Sequence, residues 1–161
     1  MAKIRKVPRK YTSGLKKSTA AKRKAQIRKR SKGKVTGSAR FKPLAGDSKA
    51  KTRPSKYTRS AKGLRGSISE ESKKIQSDST KTKFIRAAAK STGVPTGIIR
   101  KVYERGEAAW ATGHRPGATQ QQWAKARVYS FLQKGKTATM GDKQLYQEAK
   151  KKQTGTKFRL K

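Results

Sequence analysis

Apolar positions recur at helical spacing in one part of the chain only, the part after residue 80. About Thr80–Ser91, Phe84, Ile85, Ala88 and Ala89 fall near one face. About Thr96–Ala111, the positions Ile98, Ile99, Val102, Tyr103, Ala109 and Trp110 repeat at three and four. A third helix is expected after Thr119, whose hydroxyl suits an N-cap, carrying Trp123, Ala126, Tyr129, Phe131 and Leu132. A short fourth, about Asp142–Lys151, has Asp142 as its cap and Leu145, Tyr146 and Ala149 as its apolar face. The pattern predicts a mostly α protein: a small helical domain over 80–152, three to four short helices, then a basic tail at 153–161.

Before residue 80 that periodicity is lost. Ser18–Arg30 contains helix formers and no breaker, but Ala21, Ala25 and Ile27 make no wide apolar face. It is expected to be disordered alone and to become helical on an anion. Ser31–Gly66 is rich in Gly, Ser, Thr and Lys, carries Pro43 and Pro54, and reads as extended linker, with Phe41, Leu44 and Tyr57 as isolated anchors. Glu70–Ser79 is mildly acidic and marks the boundary. Residues 1–79 are thus read as a long basic arm and linker, extended or disordered.

Charge decides what such a chain can do. It holds 45 Lys+Arg against 8 Asp+Glu, a formal charge of +37, with 31% apolar residues. The first 69 residues carry 24 of the cations and one acid, Asp47; the remainder carry 21 cations and seven acids. Ordering each residue costs roughly 1–2 kcal/mol of backbone entropy, and so little apolar surface cannot offset that throughout. Repulsion among the cations adds to the deficit unless an anionic partner answers it. Nucleic acid, DNA ahead of RNA, is the expected partner, since each neutralised phosphate releases counterion without any sequence readout. Capsid proteins with acidic surfaces are the alternative. A membrane fits poorly, because no run of about 18 apolar residues exists. There is no cysteine, which removes disulfides, thiolate chemistry and zinc ribbons. The N-terminus has no apolar stretch resembling a secretory signal.

Two local patterns carry candidate chemistry. In Arg86–Arg105, Ala89, Gly93, Val94, Ile99 and Val102 sit at helix-turn-helix spacings, which would present Thr96, Arg100, Lys101 and Arg105 to a phosphate backbone or groove. An ordinary helical hairpin with a Gly turn fits the same residues. In Ala108–Trp123, His114 and Arg115 could grip a phosphate while Trp110 or Trp123 stacks on a base. The structural alternative has His114 capping the preceding helix and both Trp rings in the core. With the arm's Lys22, Arg23, Lys24, Arg28, Lys29 and Arg30, and with Arg127 on the third helix, these cations are the expected nucleic-acid contacts. Catalysis is not expected. His114 is the only histidine, and Glu104 and Glu107, the one carboxylate pair at same-face helical spacing, lie among cations. No cofactor, metal or small-molecule substrate is expected.

The stretch TGVPTGIIRKVYERGEAAWATGHRPGATQQQWAKARVYSFL, followed by GDKQLY, resembles an uncharacterised family of viral proteins. Its members occur in tailed phages, notably of cyanobacteria and marine bacteria, and in large DNA viruses of eukaryotes. The pattern matches at Trp110, Gly113, His114, Arg115, Pro116, Gly117, Trp123, Ala126, Arg127, Phe131, Asp142 and Leu145. KYTSGL and KAKTRPSKYTRSAKG resemble the basic leader of those proteins. The resemblance implies no activity. It implies a viral setting, in the virion or the infected cell (cytoplasm or nucleoid): a basic protein that condenses genome, or a minor capsid or cement protein whose arm orders on capsid subunits. A helix-turn-helix regulator is the further alternative.

Overall fold

The structure, a computed structural model, describes residues 6–155 and 157–161. The first five residues of the predicted arm and position 156 of the predicted tail lie outside the described residues. The protein is mostly helical, with no strand among the described residues. Seven α-helices follow in order: α1 (Lys17–Ser31), α2 (Lys56–Ser60), α3 (Lys62–Lys73), α4 (Thr80–Thr92), α5 (Thr96–Thr112), α6 (Gln120–Leu132) and α7 (Lys143–Lys152). Short 3-10 turns at Arg9–Tyr11 and Gly37–Phe41, and a π-turn at Thr137–Gly141, complete the described elements.

The chain divides into two units. One joins the described part of Met1–Arg53 to Glu107–Trp123; the other joins Pro54–Gly106 to Ala124–Lys161. The second holds most of the apolar core. Ile68 of α3, Phe84 and Ile85 of α4, Ile99, Val102 and Tyr103 of α5, Val128 and Phe131 of α6, and Tyr146 of α7 are all buried there. Gly106 lets α5 approach α6, since a Cβ on it would come within 2.7 Å of the Ala124 Cα. Phe84 meets Tyr129 edge to face at 5.8 Å between centroids.

The helices predicted after residue 80 are present, and Thr119 caps α6 as expected. Ser79 caps α4 through the Thr82 N–H. Thr119 and Gln122 form a reciprocal capping box at the start of α6: the Gln122 N–H donates to the Thr119 hydroxyl, and the Thr119 N–H to the Gln122 side chain. Asp142 departs from expectation. Its side chain makes no cap bond to α7; it accepts instead from Arg105 at 2.6 Å and Arg127 at 2.9 Å.

Much of the predicted arm is folded where it is described. Ser18–Arg30 is folded within α1, with Arg23, Ile27 and Arg30 buried at i, i+4 and i+7. Within it, Arg23 pairs with the chain's own Asp47. Leu44, in the expected linker, is buried with Ile27 and Val7 in a small core against which Tyr11 packs. The end of the linker and the start of the acidic boundary become α2 and α3. There Ala61, Leu64 and Ile68 supply an apolar stripe, and α3 lies on α4. The predicted tail is also held down. The Thr154 N–H donates to the Gly93 carbonyl, the Tyr146 hydroxyl donates to the Lys161 carbonyl, and Leu160 is buried.

Candidate polyanion interface

The predicted contact residues separate according to the work their charges already do. On α1, helical geometry puts Arg23, Ile27 and Arg30 inward and leaves Lys22, Lys24, Arg28 and Lys29 exposed. The Arg23 guanidinium is fully buried and donates to the Ala45 carbonyl (2.9 Å), to Asp47 Oδ1 (2.7 Å) and to the His114 carbonyl (2.8 Å). Arg30 donates to the carbonyls of Ala111 (3.3 Å) and Lys42 (2.5 Å).

These bonds gather at the C-terminal end of α5. The last carbonyls of a helix have no internal partner and carry partial negative charge, so cations are stabilised there. Arg30 takes the Ala111 carbonyl, and His114 Nδ1 lies 2.9 Å from that of Trp110. The imidazole stacks on the Trp110 ring, with centroids 4.2 Å apart and planes within 8°. Its Nε2 lies 2.7 Å from Asp47 Oδ2. Both ring nitrogens thus lie within hydrogen-bond reach of an oxygen atom of the chain. Asp47 also accepts from the N–H groups of Leu44 (2.7 Å) and Gly117 (3.1 Å). Burial alone would push the Asp47 carboxyl up. Hydrogen bonds and charge from His114, the Leu44 N–H and the Arg23 guanidinium outweigh that and hold it well below the usual carboxylate range.

Arg23, Arg30 and His114 are therefore corrected from phosphate contacts to internal ones. Each is buried, and each makes hydrogen bonds to groups of the chain itself, although Arg23 Nε is left without a partner. Trp110 is buried too and donates through Nε1 to the Ala118 carbonyl, so it offers no face to a base. Arg115 is half-buried. Arg105 is exposed and Arg127 half-buried, and both share the buried Asp142. Lys22, Lys24, Arg28, Lys29, Arg100 and Lys101 remain exposed cations.

In the second unit, Gly93 ends α4 in the left-handed conformation at φ +70°. Ala89, Val94, Ile99 and Val102 are buried around that turn, and Thr96, Arg100, Lys101 and Arg105 are exposed. The same unit holds a cleft of about 850 Å³ bounded by α2, α3, α4 and α6. Arg59, Lys62, Arg65, Lys73, Lys83 and Lys125 line it, with no carboxylate in the lining. None of these six is among the predicted contacts. The signal that could have found the first three is their spacing of three, a cationic stripe hidden by reading Gly63 and Gly66 as linker.

Residues 8–151 match the model of a family described as a family of unknown function, DUF5824. The chain belongs to this family. The match takes in both units, including most of the stretch predicted to be a basic arm. No curated protein and no solved structure matches the chain.

Proposed function

We propose that this DUF5824 protein is a non-catalytic polyanion-binding protein whose partner is nucleic acid, DNA ahead of RNA. The observation that carries the reading is the charge of +37 on 161 residues. Internal pairing answers little of it: among the described residues the half-buried Asp47 and the buried Asp142 absorb arginines, while lysines and arginines on α1, α3, α5 and α7 face solvent. A surface of this kind binds phosphate backbones through counterion release. The sole histidine is used within the fold, which leaves it no evident part in acid–base chemistry. No described helix is long and apolar enough to cross a membrane.

The resemblance to viral proteins supports a setting in or around the virion, as genome condensation or as a basic component on a capsid's inner face. Mass spectrometry of purified particles tests that setting; absence from particles removes both virion roles. The binding itself is tested by a panel of duplex DNA, structured RNA and anionic lipid vesicles at low salt. Tight binding to the nucleic acids is expected, and indifference to both contradicts the proposal. A second reading, a regulator that reads sequence, draws on the α4–Gly93–α5 geometry. It expects Arg100→Ala with Lys101→Ala to abolish preference for a site selected from random DNA. Uniform weakening on all sequences means phosphate contact alone.

A further inference from the structure

The cleft beside α3 has a composition that sets it apart from the larger hollow of the same unit. That hollow, about 1100 Å³, is lined by Glu70 and Glu71 as well as Lys90, and Glu71 is paired with both Lys74 and Lys90. Its two acids and Lys90 are paired within the chain, while Lys157 also lines it. In the smaller cleft six of the thirteen lining residues are cations and none is acidic. Lys73 is paired with Glu70. Among the described residues no ion pair joins Arg59, Lys62, Arg65, Lys83 or Lys125 to a carboxylate.

Like charges held across a cleft repel, and the repulsion grows as water is withdrawn. Lys125 is itself partly withdrawn from water. Its ammonium lies 5.2 Å from the centroid of the Phe84 ring, and burial pushes it down from the usual lysine range. Arg65 is turned to the Tyr129 hydroxyl, which burial raises and Arg65 partly lowers again. The remaining polar groups are the hydroxyls of Ser69, Ser72 and Thr80, donors of the kind that also serve phosphate oxygens. No Asn or Gln amide is present to read a base edge, and the rings of Phe84 and Tyr129 are buried rather than open for stacking. Gly66 forms part of the wall and has open space where its Cβ would stand, so a ligand backbone can approach α3 closely there.

We propose that this cleft grips the phosphodiester backbone of a nucleic acid, taking several phosphates in succession without reading the bases. The assignment rests on the polyanion-binding reading above and locates its contacts on residues other than the α1 and α5 cations. Duplex and single strand share the chemistry, and the experiment carries both.

The full chain is titrated with a fluorescent duplex and with the matching single strand across a range of salt. A cleft variant, Lys62→Gln with Lys83→Gln and Lys125→Gln, is compared with a control of equal charge change on α7, Lys143→Gln with Lys150→Gln and Lys151→Gln. The cleft variant is expected to bind about tenfold or more weakly and to lose about three from the salt slope on its preferred strand form. The control is expected to lose less than about one. Because Lys125 is half-buried, a second cleft variant, Arg59→Gln with Lys62→Gln, uses exposed residues only and should lose about two. Retention of the wild-type slope by both cleft variants, or equal losses in cleft and control variants, overturns the cleft while leaving the broader reading intact. Failure of the unaltered chain to bind either strand form overturns both. Identical affinity for unrelated sequences supports backbone contact, and a strong sequence preference lost in the cleft variant contradicts it.

Discussion

At Asp47 four donors converge on one carboxylate: Arg23, His114 and the N–H groups of Leu44 and Gly117. Removing one partner of a buried pair strands the other, at a cost of about 3–5 kcal/mol. Asp47→Ala is therefore expected to lower stability by about that amount, read as a lowered denaturation midpoint. The carboxyl is depressed in the folded chain, so its stabilisation is complete above the unfolded value of about 3.9 and is lost as pH falls below it. The stability gap between wild type and Asp47→Asn should be constant at neutral pH and narrow below about pH 4. A gap that does not change with pH contradicts this account of the hub. Parts of the hub were legible. Asp47 is the single acid among 24 cations in the first 69 residues, and Trp110 and His114 stand four apart near a helix end. The pairing of Asp47 with His114 was not legible, because 67 positions separate them and no periodicity links the two segments. Asp142 reads locally as a helix cap for the same reason; its arginines are distant in sequence.

The helices show where local pattern suffices and where packing overrides it. α4 to α7 carry apolar positions at a period that only a helix buries on one side, and their ends bear recognisable stops: Ser79, Gly93, and Thr119 with Gln122. α1 lacks that stripe because its inward face is built from two arginines and one isoleucine, which hydropathy scores as exposed. In α3, Gly63 and Gly66 lower helix propensity by roughly 1 kcal/mol each relative to Ala. Packing of Leu64 and Ile68 on the core offsets that. Two glycine replacements should then move stability in opposite directions. Gly93→Ala places a side chain at φ +70° and drives its Cβ into the Thr154 carbonyl, so a loss of more than about 1 kcal/mol is expected. Gly66→Ala meets open space in a helix interior and is expected to gain about 0.5–1 kcal/mol. Thermal unfolding of the two variants beside wild type measures both, and a common direction of change contradicts the assignment of these helices.

Over the whole chain, composition read the charge correctly and overestimated disorder. Low apolar content argues against ordering 161 residues, but it takes no account of arginines that act as structural side chains. Arg23 and Arg30 reduce the need for apolar core in the first unit by satisfying carbonyls at the end of α5 and in the loop around Leu44. Most of the remaining cations face solvent and repel one another. Added salt should therefore raise the Tm of the unliganded chain through screening, and a polyanion should raise it further by binding the folded state. A Tm that falls as moderate salt is added contradicts this description of the surface. The most direct measurement is the affinity for duplex DNA followed over salt from about 50 to 200 mM. If about eight phosphates are engaged, log affinity falls against log salt with a slope near −7. A slope near zero, or no binding at the low-salt end, contradicts the claim that the cations of this chain exist to meet a phosphate backbone.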